Sequence, residues 1–275
     1  MSVVVPVFNG MPHLEALTTS LLAQTHRNLE IIFTEGGGSD TSLEFLESQS
    51  DPRIRVIQMP QGTSAADNWT AATREAGGEF TKLICQDDLL QPEAIRLQVA
   101  DLLAHPTAVM AIARRDIVDA RGKRLYAGRG LAGVKTGLQP GASVIKTCYL
   151  RGTNVIGEPL AVLFRTEPLK AALPWEDENP LMLDVSMYAK VAPGGDVVAR
   201  FDSVGAFRVS SGSWSTRLAS VQLQQTKDWQ NEYASGQIPG PSLVERWRAT
   251  AGRHLQVNAR RAAYTVLRVR GALDQ

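Results

Sequence analysis

A chain of 275 residues, 44% apolar and 21% charged, has material for one large α/β domain, or a domain and a half, with a true core. Its net charge of +1 gives no general basis for nucleic-acid binding, and its two cysteines, Cys85 and Cys148, lie far apart without metal-site spacing or any need for an oxidising compartment. No apolar run reaches the ~18 residues that span a bilayer, and the N-terminal MSVVVPVF lacks a basic n-region and a cleavage site, so it reads as a strand and the expected location is the cytoplasm.

Residues 2–8 are β-branched and continuous, the pattern of a strand buried on both faces. Residues 13–24 place Leu14, Leu17, Leu21 and Leu22 on one helical face. A second buried strand is expected at 29–34, followed by the loop EGGGSD (35–40), whose Asp40 is placed to cap a helix over 41–49. A third strand follows at 54–59. Ser64 and Asp67 then fit a capping box for a helix that Gly77-Gly78 stops. The fourth strand, 80–85, with Cys85 as a buried thiol, runs directly into Asp87 and Asp88, and Pro92 opens the next helix. This alternation predicts a Rossmann-type, mainly parallel sheet flanked by helices, with ligands beyond the carboxyl ends of its strands, where Asn9, Glu35 and the acidic pair fall.

Beyond residue 108 the texture changes. A strand over 109–118 and a turn at 119–122 precede a glycine- and base-rich stretch, 121–141, that reads as a surface loop. Short apolar elements at 144–150 and 160–164 flank NVIGEP (154–159). A helix is expected over 181–191 with Asp184 near its start, strands at 197–201 and 204–209, and helices at 214–233 and 242–269. From Pro241 onward seven arginines face two acids, Glu245 and Asp274, and Trp247, Ala251 and Leu255 form an apolar stripe. The plain reading is a helix packed on the domain with a solvated basic face; the sharper one is peripheral contact with an anionic membrane, at its inner face.

A buried strand ending in two carboxylates is costly unless a cation is near, and adjacent hard oxygens suit Mg²⁺ or Mn²⁺; equally, such acids can cap the helix that follows. Asp184 admits two readings too, a general base or an acid that complements a helix dipole. Trp175 and Trp214 are candidates for sugar stacking, with burial in the core as the common alternative.

Three segments together resemble family 2 glycosyltransferases of the GT-A fold: VVVPVFNG (3–10), SLLAQTHRNLEIIFTEGGGSD (20–40) and GTSAADNWTAATREAGGEFTKLICQDD (62–88). The resemblance implies a GT-A-like domain with a nucleotide-sugar-binding half (1–105), an acceptor-binding and catalytic-base half (106–215) and a C-terminal helical extension (216–275). It implies metal-assisted, inverting transfer from a nucleoside-diphosphate sugar to a saccharide or lipid-linked acceptor, in surface polysaccharide or glycolipid synthesis. By the same resemblance Pro6, Val7, Phe8 and Glu35 line the nucleoside pocket, Asp87 orients the sugar or ribose, Asp88 holds the metal, and Arg208 approaches the diphosphate. Glu158 falls on the acceptor side, and Asp184 matches the catalytic base. Cys85, Leu183 and Ser210 replace an aspartate, a glutamate and a histidine common in the family, which keeps a catalytically silent nucleotide- or carbohydrate-binding subunit in view. A sugar-phosphate nucleotidyltransferase shares the metal and the layers, but its Gly-rich basic signature is missing after the first strand, where this chain has Asn9-Gly10-Met11-Pro12.

Overall fold

The structure, a computed structural model, describes residues 1–176, 178–210 and 221–269. Its first third is β1 (Ser2–Val7), α1 (Leu14–Leu22), β2 (Glu30–Glu35), α2 (Ser42–Glu47), β3 (Ile54–Gln58), α3 (Ala65–Arg74), β4 (Phe80–Leu83), β5 (Leu89–Leu90) and α4 (Ala94–Ala104). The strands β3, β2, β1 and β4 lie side by side and all parallel, as the strand–helix alternation predicts. Ser64 caps α3 by accepting the Asp67 N–H at 3.1 Å and donating its hydroxyl to the Asp67 carboxylate at 3.0 Å. Asp40 accepts the Ser42 N–H at the start of α2, and its other oxygen takes the Met11 N–H.

β1, β2 and β4 are buried on both faces, so their side chains divide by the two-residue period, while β3 at the edge is partly exposed. Val3, Val5, Val7, Ile31 and Phe33 pack with Leu14, Leu17 and Leu21 of α1 and Ile95, Val99 and Leu102 of α4. Val4, Ile32 and Leu83 point the other way, into a second layer. Lys82 is the exception in this core. Its Nζ donates to Gln98 Oε1 at 2.8 Å and to the Val162 carbonyl at 3.0 Å, while burial lowers its pKa to about 7.

The remainder is β6 (Ala108–Val118), β7 (Arg124–Arg129), β8 (Gly137–Pro140), α5 (Gly141–Arg151), β9 (Val162–Arg165), α6 (Thr166–Ala171), α7 (Leu183–Val191), β10 (Asp196–Arg208), α8 (Gln222–Ser235) and α9 (Leu243–Val269). The sheet continues without a break from β4 to β9, β6, β10 and β5, with antiparallel pairs entering from β9 onward. Met110, Val162 and Phe164 join the second layer with residues of α5 and α7.

Three expectations are corrected here. Residues 121–141 are not simply a loop: β7 pairs antiparallel with β6, and β8 with β10. Their edge position, with exposed side chains and glycines, hides the period-two pattern. The two strands expected at 197–201 and 204–209 are one long strand, β10, whose register against β6 shifts between Arg200 and Ala206. In α9, finally, the face that packs is not the one carrying Trp247 and Leu255. Ala249, Arg253, Val257 and Leu267 are buried, whereas Trp247 is 72% and Leu255 68% exposed. Gly252 allows the close approach of α9 to α5, since a Cβ there would lie 2.6 Å from the Leu150 carbonyl oxygen. Trp214 lies outside the described residues.

Candidate active site

Beyond the carboxyl ends of β1 and β4 lies a cavity of about 650 Å³, a size suited to a nucleotide-sized ligand. One wall comes from Pro6, Val7 and Phe8, where β1 ends. Pairing of β1 with β4 stops at Leu83, and the Gln86 side chain takes over. Its amide accepts the Phe8 N–H at 2.7 Å and donates back to the Phe8 carbonyl at 2.9 Å, holding the half-exposed Phe8 at the rim. Asn68 and Trp69 of α3 continue the wall, and Asn68 donates to the Val7 carbonyl at 3.1 Å.

Asp87 lines the cavity; Asp88, next in the chain, is wholly buried and does not line it. Asp88 Oδ1 accepts the Arg208 backbone N–H at 3.2 Å, while its Oδ2 is buried without a hydrogen-bond partner. Burial, then the charges of Asp87 and Glu158, push the Asp88 carboxyl well above the usual range; burial raises Asp87 as well. Cys85 is a correction to the sequence reading. It lies beyond the end of β4 and lines the cavity instead of packing in the core. Burial and the four surrounding charges of Asp88, Asp87, Asp184 and Glu158 keep its thiol neutral. A further carboxylate there would add to an already crowded charge.

Asp184, at the start of α7, and Glu158, before the 3-10 turn Pro159–Ala161, line the same cavity. Burial, then the Glu158 charge, raise the Asp184 pKa to about 7. Its two oxygens are each held by one donor: Oδ1 by the Val185 N–H at 2.7 Å and Oδ2 by Asn154 Nδ2 at 2.8 Å. Asn154 is fixed in turn. Its Oδ1 accepts from the backbone N–H groups of Ile156 and Gly157, and its Nδ2 also donates to the Gly157 carbonyl. For Glu158, burial acts to raise the pKa, but its ion pair with Arg115 Nε prevails and holds it below the usual range. Asn154, Arg115 and Gln86 were not singled out from the sequence. Asn154 and Gln86 fall within NVIGEP and CQDD, but Arg115 lies in β6 with no local pattern to mark it, because its partner Glu158 is distant in the chain.

Two residues assigned to the nucleotide by resemblance are placed differently from the cavity lining. Glu35 is buried, and its oxygens accept the N–H groups of Gly37 and Gly38, so it shapes the EGGGSD loop. Arg208 is buried as well. Its Nε donates to the Asp87 carbonyl at 3.0 Å and its Nη1 to the Ala120 carbonyl at 2.9 Å, tying the acidic turn to the β6–β7 turn. Trp175 is in the core, edge-on to Trp69, with its indole N–H on Thr73 Oγ1 at 2.9 Å, so the sugar-stacking reading does not apply to it. Among the described residues no group of three potential His, Cys, Asp or Glu metal ligands occurs.

The same architecture is found in solved structures at low sequence identity. Staphylococcus aureus TarS 1–349 in complex with UDP-GlcNAc superposes with a TM-score of 0.71 at 16% identity, over 93% of this chain and 72% of that one. The Pyrobaculum calidifontis mannosyltransferase PcManGT, in complex with GDP-Man and Mn²⁺, gives 0.62 at 16% identity, over 99% and 79%. Among curated sequences, glycosyltransferase GlyG of Streptococcus pneumoniae serotype 4 (strain ATCC BAA-334 / TIGR4) is 31% identical over 97 residues, 34% of this chain and 32% of that protein. Hyaluronan synthase of Pasteurella multocida is 28% identical over 109 residues, 39% of this chain and 11% of that protein, so the matches span a third or less of these relatives' length. The model of Glycosyl transferase family 2 matches residues 2–169, a span that holds β1, the acidic pair and Glu158, and on that match the chain belongs to family 2 of the glycosyltransferases.

Proposed function

We propose that this chain transfers a sugar from a nucleoside-diphosphate sugar to the hydroxyl of a saccharide or lipid-linked acceptor, by a single inverting displacement. The pathway class that suits this is surface polysaccharide or glycolipid synthesis. The observation that carries the reading is the convergence of three carboxylates, Asp87, Glu158 and Asp184, on one cavity, with Asp88 buried next to Asp87. In this reading residues 1–105 hold the donor, 106–215 hold the acceptor and the base, and 216–275 form an extension.

Each residue's part follows from its surroundings. Pro6, Val7 and Phe8 offer an apolar wall and a ring edge to the base. Glu35 supports the loop beside that wall through its own backbone bonds. Asp87, at the cavity surface, is the acid available to a sugar or ribose hydroxyl. Asp184 takes the acceptor proton: its pKa of about 7 lets it exist as carboxylate at neutral pH and still be basic enough to accept a proton. Asn154 and the Val185 N–H aim its oxygens. Glu158, pinned by Arg115, is the acceptor-side carboxylate and raises the basicity of Asp184 by its charge. Arg208 positions the Asp87 turn, close to where a diphosphate would lie.

The buried Asp88 Oδ2 without a hydrogen-bond partner and the raised Asp88 carboxyl are relieved by a hard cation, so the residues fit Mg²⁺ or Mn²⁺. Asp88 would hold the ion, with Asp87 beside it. Two neighbouring carboxylates among the described residues make a partial ligand set, which favours an ion that arrives with the diphosphate. When bound, such an ion neutralises charge on the departing diphosphate.

The test is a thermal-shift and turnover panel of UDP-, GDP- and dTDP-sugars with Mn²⁺. One donor class is expected to raise Tm and to be consumed, and Asp88→Asn is expected to remove the Mn²⁺-dependent part of the shift. A chain that binds nucleoside diphosphates yet never hydrolyses or transfers a sugar across the panel would be a silent binding subunit instead. A shift that survives Asp88→Asn unchanged would overturn the metal assignment.

A further inference from the structure

The packing of α9 leaves its most apolar side chains outside. Leu243, Val244, Trp247, Leu255, Val266 and Val269 are all exposed. At the helical angle of 100° per residue they cover an arc of roughly 140°. The opposite side is the one that meets the domain, through Ala249, Arg253, Val257 and Leu267. Arginines border the exposed arc, with Arg261 and Arg268 along one margin and Arg248 along the other. The one acid in the helix, Glu245, is engaged by Lys146 at 2.5 Å. The result is an apolar strip about 40 Å long, from 1.5 Å per residue, between cationic margins.

We propose that α9 lies along the surface of a bilayer that contains anionic lipids, its apolar strip in the boundary between headgroups and acyl chains and its arginines on the lipid phosphates. Charge decides the occupant. A second copy of the same helix would bring like charges together along both margins, whereas anionic headgroups complement them. No described helix is long and apolar enough to cross a membrane, and α9, with arginines along its length, is suited to lying on one.

The strip is also tied to the cavity. Tyr264 and Leu267 of α9 cluster with Phe207, which lines the cavity, and the Arg260 charge is felt at the Glu158 carboxylate. Membrane contact through α9 would hold the cavity near the lipid surface and, on the transferase reading, beside a lipid-carried acceptor.

The test uses the full chain with two sets of vesicles, phosphatidylcholine alone and phosphatidylcholine with one-third phosphatidylglycerol. Sedimentation with the anionic vesicles is expected, with a blue shift of Trp247 emission and weakening by added salt. Arg248→Gln with Arg261→Gln should weaken binding about 30-fold, from about 1 kcal/mol for each arginine near the surface. Trp247→Ser with Leu255→Ser should abolish it while leaving Tm and donor binding unchanged, since both side chains are exposed. Equal binding to both vesicle types, or full binding by the Trp247→Ser, Leu255→Ser pair, overturns the proposal. So does a concentration-dependent doubling of mass that this pair removes, which would identify a second copy as the occupant. A chain that binds anionic vesicles but no donor would fail the transferase reading and leave this one standing.

Discussion

Asp184 is held in a state of tension that its two hydrogen bonds only partly relieve. Burial and Glu158 raise its pKa from 3.8 to about 7, so the folded chain keeps a proton that the unfolded chain has already lost between those values. The sign follows: stability falls as pH climbs through that window, and the full cost of the ionised group is present above pH 7. Asp184→Asn removes the charge but turns an amide NH2 toward one of two donors, the Val185 N–H or Asn154 Nδ2, which costs stability at every pH. Between pH 4 and pH 8 the Tm difference is nevertheless expected to move in the variant's favour by several degrees, a change of order 1–4 kcal/mol, because only the unsubstituted chain carries the pH-dependent cost. The same substitution should lower transfer by about 10²–10⁴-fold with donor binding intact. In the unsubstituted chain the transfer rate should rise about tenfold per pH unit below 7 and level off above it. A pH-independent rate, or undiminished turnover by the variant, would remove Asp184 from the role of base. At this scale the acids themselves were legible in the sequence, because a carboxylate pair at the end of an apolar strand and an acid at a helix start are local patterns. Asn154 and Arg115 were not. Each acts on a partner some thirty or more residues away, and nothing local marks an asparagine or an arginine for that duty.

Among the elements, β1 and β2 of the parallel half could be read because they are buried on both faces and rich in β-branched residues, Val3–Val5 in one and Ile31, Ile32 and Thr34 in the other. The edge strands β7 and β8 could not, since half or more of their side chains face solvent and glycines interrupt them. The long C-terminal helix was legible in extent but not in orientation. Its apolar stripe suggested the packing face, yet the small residues at Ala249 and Gly252 set the contact with α5. That contact makes a direct prediction. Alanine is a better helix former than glycine by about 1 kcal/mol, but its Cβ at position 252 would press on the backbone of Leu150 and Arg151 at 2.6–2.8 Å. Overpacking against backbone costs about 1–3 kcal/mol. Gly252→Ala is therefore expected to lower Tm in a thermal melt, and a rise would show that α9 is not seated on α5 as described.

At the scale of the whole molecule, residues 1–105 and 106–215 are not two bodies joined by a linker. The sheet runs through both: β4 pairs with β9, β9 with β6 and β6 with β10. The acidic pair lies in that seam. β5, which begins one residue after Asp88, pairs with β10 at Gly205 and Ala206, and Arg208 holds both Asp87 and Asp88 through its own side chain and backbone. Opening the two segments like a clamshell would break those strand pairs at the acids to which the proposed transfer assigns the donor. Substrate capture by this chain should then involve no hinge between them. Small-angle scattering offers the check: the radius of gyration, about 19 Å for a compact chain of this length, should be the same with and without donor. A contraction on loading would mean that the seam gives. If it holds, the spacing between Asp87 and the acids Glu158 and Asp184 is fixed when the chain folds, and a sugar must fit the gap it finds.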